Sequence, residues 1–268
     1  MSELRERLDL AVAIALEAGA YVMRSYRAPG LTVDSKADAS PVTDADRGAE
    51  ELVRQRLARA APADAITGEE FGEAPGTSGF RWYLDPIDGT QSFIRGVPLF
   101  GTMLAVEQDG EAAAGVIVFP ALREAVYAAK GAGAWAADGV DLSAHAVANP
   151  APAAVSETAA LSEATLSQTS TRIFDDHGLS AAYARVSRAV RTVRGWGDCY
   201  GHYLVATGRI DAMLDPELKA WDTAPLKPII EEAGGRFTDW SGAPTIYGNS
   251  GISTNGRIHD ALLAALRG

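Results

Sequence analysis

Asp85 and Asp88 stand three residues apart in Trp82-Tyr83-Leu84-Asp85-Pro86-Ile87-Asp88-Gly89-Thr90, where an aromatic and apolar run meets a proline. Two carboxylates that close repel, so something must hold the negative charge in place. A hard divalent cation such as Mg²⁺ does this well, because it takes oxygen ligands from a few carboxylates and leaves positions for phosphate and water. Gly89 and Thr90 can then offer backbone N–H groups and a hydroxyl to that phosphate. Asp, Pro and Gly are also the commonest turn residues, so a plain surface turn is the competing reading.

Other acids fall at comparable places. Glu69 and Glu70 close the short run Ile66-Thr67-Gly68. Asp46 sits at the start of a helix in Pro41-Val42-Thr43-Asp44-Ala45-Asp46, and Asp222 follows Trp221 just before another helix. An aspartate at a helix N-terminus is comfortable with no metal, so capping alone accounts for Asp46 and Asp222. Together, acids gathered at element ends describe a multi-metal carboxylate site.

The elements that must position them can be read in outline. Residues 3–26 form an amphipathic helix with Leu4, Leu8, Val12 and Ala15 on one face. The stretch 28–41 is polar and turn-rich. Thr43 or Asp44 caps a second helix that runs to about Ala60. Strands follow at 81–84, 100–107, 113–119 and 125–129, in the manner of an antiparallel meander, with a Gly/Pro/Ser/Thr loop at 72–79. The Ala/Pro/Ser-rich stretch 144–157 is a linker between subdomains or a strand passing between sheets. Beyond it, helices at 171–188, 199–207 and 224–233 alternate with strands at 189–193, 210–214 and 236–239. The expected organisation is a single domain over 1–268, with subdomains at roughly 1–145 and 146–268.

With 268 residues, 47% of them hydrophobic, the chain can bury a sizeable core. A net charge of -11 argues against a nucleic-acid or anionic-membrane partner, but not against a small phosphorylated metabolite held through cations. The single cysteine, Cys199, permits no internal disulfide and suits a reducing cytoplasm. The N-terminus lacks a signal-peptide core, and no window is apolar enough to span a bilayer. The small, polar segment around Lys36 (Asp34 to Pro41) is a loop that closes when metal arrives, or a plain surface loop.

Val42-Thr43-Asp44-Ala45-Asp46, Gly68-Glu69-Glu70, Asp85-Pro86-Ile87-Asp88-Gly89-Thr90 and Trp221-Asp222-Thr223-Ala224 with Glu232-Ala233-Gly234-Gly235 occur in one order along the chain. In these segments the chain resembles the inositol monophosphatase-like family of Mg²⁺-dependent, lithium-sensitive phosphatases. The resemblance extends over nearly the whole chain. It implies an α/β fold, a five-layered αβαβα sandwich, usually dimeric. It also implies two or three Mg²⁺ ions per site and inhibition by Li⁺. By the same resemblance, Glu69, Asp85, the Ile87 carbonyl, Asp88 and Asp222 are metal ligands. Asp46 and Thr90, with Glu69, serve the attacking water. The backbone of Gly89, Thr90 and Gln91 holds phosphate, and Lys36 lies on a mobile segment that folds over the site. Gln91-Ser92 departs from the family's usual residues there. Pro225 also departs, and is expected in a first helical turn, where its missing N–H is no loss.

The leaving alcohol has to be read elsewhere. Arg194-Gly195-Trp196-Gly197-Asp198-Cys199-Tyr200 and Leu218-Lys219-Ala220-Trp221-Asp222 are similar to the histidinol-phosphate phosphatase branch of that family. Histidinol carries an ammonium and an imidazole, and acids at Asp198 and Asp215 suit a cationic group. Asp198 and Asp215 are therefore candidate substrate-binding residues, and Arg194 in the same segment is a third, with capping of the following helix as the other reading of Asp198. The expected reaction is hydrolysis of L-histidinol phosphate by direct attack of a metal-activated water. The alternatives are an inositol-1-phosphate or broad sugar-phosphate phosphatase, and more distantly a non-catalytic phosphometabolite-binding protein.

Overall fold

A computed structural model describes residues 2–35 and 41–268; Lys36 lies outside them. Helix α1 (Ser2–Val22) turns Leu8, Ala11, Ile14, Ala15 and Ala18 inward on one stripe. The described parts of the polar stretch after it include two short strands. Strand β1 (Val33–Ser35) pairs antiparallel with β2 (Pro41–Thr43). Helix α2 (Asp44–Ala60) starts at the Thr43 cap, whose Oγ1 accepts the Ala45 N–H at 3.1 Å. Strand β3 (Ala65–Gly68) folds straight back into β4 (Gly72–Ala74), so part of the expected 72–79 loop is strand, paired from Gly68 to Gly72.

Strand β5 (Phe80–Asp88) runs past the expected end at Leu84 to include both aspartates. A short helix α3 (Thr90–Ile94) leads to the meander β6 (Gly101–Gln108), β7 (Glu111–Phe119) and β8 (Glu124–Ala129). The meander continues into β9 (Ala134–Ala137). A ribbon of β10 (Gly139–Asp141) and β11 (Ala146–Ala148) comes next, and β12 (Ala151–Pro152) returns to pair with β9. Residues 144–157 thus contribute an edge strand before the chain leaves for the second half.

That half contains β13 (Thr165–Gln168), α4 (Thr171–Asp176), α5 (Ser180–Ala189), β14 (Thr192–Arg194), α6 (Asp198–Ala206), β15 (Ala212–Asp215) and α7 (Ala220–Glu232), then β16 (Arg236–Thr238), β17 (Gly251–Thr254) and α8 (His259–Arg267). The single helix expected over 171–188 is two, because Gly178 takes φ +69° and the left-handed residue after a helix ends it. Helix α7 begins at Ala220 rather than Ala224, so Pro225 falls in its second turn, not its first. Strand β17 and helix α8 lie beyond the elements expected from the sequence.

Among the described residues the strands form an eight-stranded sheet, β12-β9-β8-β7-β6-β5-β3-β4, and a five-stranded sheet, β14-β13-β15-β17-β16, besides two small ribbons. The period-2 alternation of strand side chains then sets the layers. Leu104, Val106, Val116 and Val118 face α1 and α2. Met103, Ile117 and Phe119 face the opposite way, onto Tyr203, Val205, Leu226 and Ile229 of α6 and α7 and onto Met213 and Phe237 of the smaller sheet. Ala212, Leu214 and Ile252 face α5 and α8 on the far side. The order is helix, sheet, helix, sheet, helix, as expected. Gly115 lets α7 approach closely, since a Cβ there would run into the Pro225 carbonyl.

Candidate active site

Side chains three apart on a regular strand point to opposite faces. Asp85 and Asp88 nevertheless come together, because the β5–β6 register shifts between Asp85 (opposite Met103) and Asp88 (opposite Gly101). A bulge adds a residue and re-aims the side chains beyond it. Pro86 sits inside it, where its missing N–H costs no ladder bond, and its carbonyl accepts Thr102 Oγ1 at 2.9 Å. The Asp-Pro-Ile-Asp segment is therefore a bulged strand, not a proline turn on the surface. The Ile87 N–H donates to Asp85 Oδ1 at 3.0 Å, and Thr90 Oγ1 donates to the Ile87 carbonyl at 3.0 Å.

Gly89 turns the chain out of β5 with φ +86°. A Cβ at that position would lie 2.9 Å from the Leu99 carbonyl and 3.2 Å from Asp198 Oδ2. Both the backbone conformation and the space exclude larger residues.

Asp222 arrives from the other half of the chain. Its Oδ2 accepts the Lys219 N–H at 2.7 Å at the start of α7, so it does cap its helix. Its carboxylate also meets those of Asp85 and Asp88, with one oxygen of each within 4.8 Å of the others. Burial, then the charges of Glu69, Asp88 and Asp222, holds the Asp85 carboxyl well above its usual range. Burial, then Asp88, does the same to Asp222. Burial raises Asp88 too, against the Cys199 N–H that donates to its Oδ2 at 2.5 Å. Among the described residues no lysine or arginine pairs with these three acids. Clustered, desolvated carboxylates without a cationic side chain, all oxygen donors, fit a hard divalent cation.

The cleft around them has a volume of about 340 Å³ and is lined by Glu69, Asp85, Ile87, Asp88, Gly89, Thr90 and Asp222, with Glu217, Lys219 and Trp221 at its side. Glu69 is delivered by the end of β3, where its N–H donates to the Leu84 carbonyl at 3.1 Å, and its carboxyl acts on Asp85 and Asp46. Asp46 is buried and does not line the cleft; its Oδ2 accepts both the Thr43 N–H at 2.8 Å and Thr43 Oγ1 at 2.6 Å. Burial, offset by those bonds, raises its carboxyl.

Gln91 is turned away from the cleft, hydrogen-bonded to Arg95. It lines an adjoining cavity of about 450 Å³ with Leu99, Thr169, Arg172, Asp176 and Asp198. Asp198 does not cap α6: Gly197 holds the cap position without a side-chain bond, and Asp198 itself takes φ +55°. Burial, then Asp88 and Asp215, pushes its carboxyl well up. Thr169 joins the two acids, accepting the Asp198 N–H at 3.0 Å and donating to Asp215 Oδ2 at 2.7 Å. Burial raises Asp215 to about 7. Arg194 stands apart: exposed on β14, it donates to its own neighbour, the Val193 carbonyl, at 2.8 Å.

Two participants escape the sequence reading. The backbone N–H of Cys199 has no side-chain signature. Glu50 lies under the Glu69–Glu70 turn; its only signal was an acid four residues after Asp46, beside the apolar stripe of α2.

The model of the inositol monophosphatase family matches residues 3–268. The chain is 42% identical to a histidinol-phosphatase of Chlorobaculum parvum, covering 97% of this chain and 96% of that one. It is 40% identical to a histidinol-phosphatase of Mycobacterium tuberculosis, over 97% of each. Among solved structures, the extragenic suppressor protein suhB of Bartonella henselae superposes with a TM-score of 0.85 at 30% identity, covering 97% of both chains. A Thermotoga maritima IMPase does so at 0.83 and 30% identity, over 98% of this chain and 97% of that one. With nearly every residue inside the matched region, the chain belongs to the inositol monophosphatase family.

Proposed function

We propose that this chain is a Mg²⁺-dependent phosphomonoesterase that hydrolyses L-histidinol phosphate to L-histidinol and phosphate, a step of histidine biosynthesis. The observation that carries the reaction class is the Asp85–Asp88–Asp222 cluster, against which no lysine or arginine pairs among the described residues. The near-full-length similarity to histidinol-phosphatases supports the substrate. So do Asp198, half-buried beside Gly89, and the buried Asp215 joined to it through Thr169, a pair that suits a cationic leaving group better than a neutral cyclitol.

In this reading Glu69, Asp85, the Ile87 carbonyl, Asp88 and Asp222 hold two or three ions. Bound Mg²⁺ neutralises the phosphate dianion and lowers the pKa of coordinated water. The chain's own groups orient the reactants. The Ile87 carbonyl accepts Thr90 Oγ1 and keeps a second lone pair. Thr90 places the water, Asp46 acts on it from behind the cleft wall through Glu69, and the backbone of Gly89, Thr90 and Gln91 cradles the phosphoryl group. Water attacks phosphorus, the ester P–O bond breaks, and the alcohol leaves with a proton. No aspartyl-phosphate forms, because Asp85 is engaged within the cluster. Asp198 and Asp215 face the leaving group; Arg194 would have to leave Val193 to join them. We extend the reading to one phosphatase unit over 1–268 with halves at roughly 1–145 and 146–268, a cytoplasmic homodimer inhibited by Li⁺, with Lys36 on the closing segment. The family resemblance supports these points.

Phosphate release from histidinol phosphate, inositol 1-phosphate and fructose 1,6-bisphosphate, measured side by side with Mg²⁺ and with EDTA, tests the proposal. Histidinol phosphate should lead by a wide margin, with nothing released in EDTA. Preference for inositol 1-phosphate would overturn the substrate, and no release from any would overturn the activity.

A further inference from the structure

Glu50 is an acid in the middle of α2 whose side chain is fully buried. Its carboxylate reaches across to the turn after β3. Oε2 accepts the Glu70 N–H at 2.8 Å, and Oε1 accepts the Phe71 N–H at 3.2 Å. Arg54, one turn along α2, donates from Nε to Oε1 at 2.7 Å and from Nη2 to the Gly72 carbonyl. Gly68 is the residue that admits this carboxylate, since a Cβ there would overlap Glu50 Oε1. Glu69 is therefore pinned on both sides: its own N–H to Leu84 of β5, and the next two N–H groups to Glu50.

We infer that Glu50 is a positioning residue for the metal site, holding the Glu69 carboxylate against Asp85 through the 69–71 backbone. A buried carboxylate is costly unless it is paired and hydrogen-bonded. Here one arginine and two backbone N–H groups satisfy it, and the only segment those N–H groups orient is the one that carries Glu69. A purely structural clamp of this turn would need no charge. A charged acceptor shortens and strengthens the bonds, which matters where Glu69 has to stay beside other carboxylates that repel it. The inference rests on the proposed role of Glu69 as a metal ligand.

The test is Mg²⁺ binding to the metal-free protein by titration calorimetry, with thermal melting in EDTA alongside. Glu50→Gln keeps one acceptor oxygen and loses the charge. Its Mg²⁺ affinity should fall about ten-fold or more, the range found when partners of metal ligands are removed. Val53→Ala, a truncation in the same helix's core, should lower Tm and leave that affinity unchanged. Glu69→Gln should weaken binding as well. Adding Glu50→Gln to it should weaken binding no further, because residues that act through one another are not additive. Parental affinity in Glu50→Gln, with Glu69→Gln impaired, overturns the role of Glu50. Parental affinity in Glu69→Gln overturns both it and the assignment of Glu69. Should Glu50→Gln not fold, Gly68→Ala makes the same test by displacing Oε1, and parental affinity there also overturns the inference.

Discussion

Asp88→Asn should do two opposite things to this protein. It should abolish most phosphatase activity and, in the absence of metal, make the fold more stable. The acids at 85, 88 and 222 lie with ligand oxygens within 4.8 Å of one another, and two unit charges at that separation repel by about 3 kcal/mol at an effective dielectric of ~20. Burial, with the neighbouring acids adding to it, raises all three carboxyls, which works against full ionisation of the cluster, so the relief should be less than the full repulsion. A gain of about 1–3 kcal/mol is expected, or roughly 2–4 °C in Tm per kcal/mol for a chain of this size. The asparagine keeps an oxygen for the Cys199 N–H that Asp88 Oδ2 now accepts at 2.5 Å, so the substitution removes charge more than it removes a hydrogen bond. Melting in EDTA and in Mg²⁺, with turnover at saturating Mg²⁺, reads both effects. The parent should melt well above its EDTA value when Mg²⁺ is added, and the variant should show little of that increment. A variant that melts below the parent in EDTA, or that turns over at the parent's rate, would refute the view that these acids are held together for a cation.

Three further perturbations test neighbouring features. Asp215 has its carboxyl raised to about 7 by burial, so the metal-free fold keeps this group's full contribution below its unfolded value and loses it as pH rises towards 7. In EDTA, Asp215→Asn should therefore gain more Tm over the parent near pH 8 than near pH 4.5, and an equal gain at both would contradict the sign. Asp198→Asn should raise KM for histidinol phosphate several-fold more than for inositol 1-phosphate, because only the first carries a cation, and equal effects in parallel steady-state assays would remove Asp198 from the substrate side. Gly115→Ala should destabilise by about 1–3 kcal/mol in denaturant unfolding, the usual range for overpacking, because its Cβ meets the Pro225 backbone of α7; an unchanged midpoint would show that α7 is free to shift.

The sheet meander and the first two helices were legible because their signals are local. Thr43 caps where a capping residue should, and the alternation in 100–119 turns to opposite layers as a two-residue period requires. The split of the 171–188 helix was written in Gly178, but a lone glycine in a helical pattern does not announce which sign its φ will take. Strand β4 was hidden by its composition, since its pairing comes from β3 and not from its own residues. Arg194 illustrates the harder limit: a basic residue near a site in sequence can stand on an edge strand bonded to its own backbone. Glu50 illustrates the converse, because an acid beside the apolar stripe of its helix does not by itself point to a turn eighteen or more residues onward.

The acids at helix starts posed capping against chemistry, and the geometry removes the opposition. Asp222 accepts the Lys219 N–H and also meets Asp85 and Asp88; Asp46 is held by Thr43 at two points and feels the charge of Glu69. A carboxylate tied by one hydrogen bond to its own helix loses the rotamer freedom that would let it swing away from like charges. Capping therefore does for Asp222 what the bulge does for Asp88 and what Glu50 does for Glu69. In each case an ordinary backbone device, a cap, a bulge or a pinned turn, holds an acid where repulsion alone would not leave it. The devices lie in the two halves of the chain and converge on one cleft, so the repulsion they resist is imposed by the fold, which is the arrangement the proposed cation site needs.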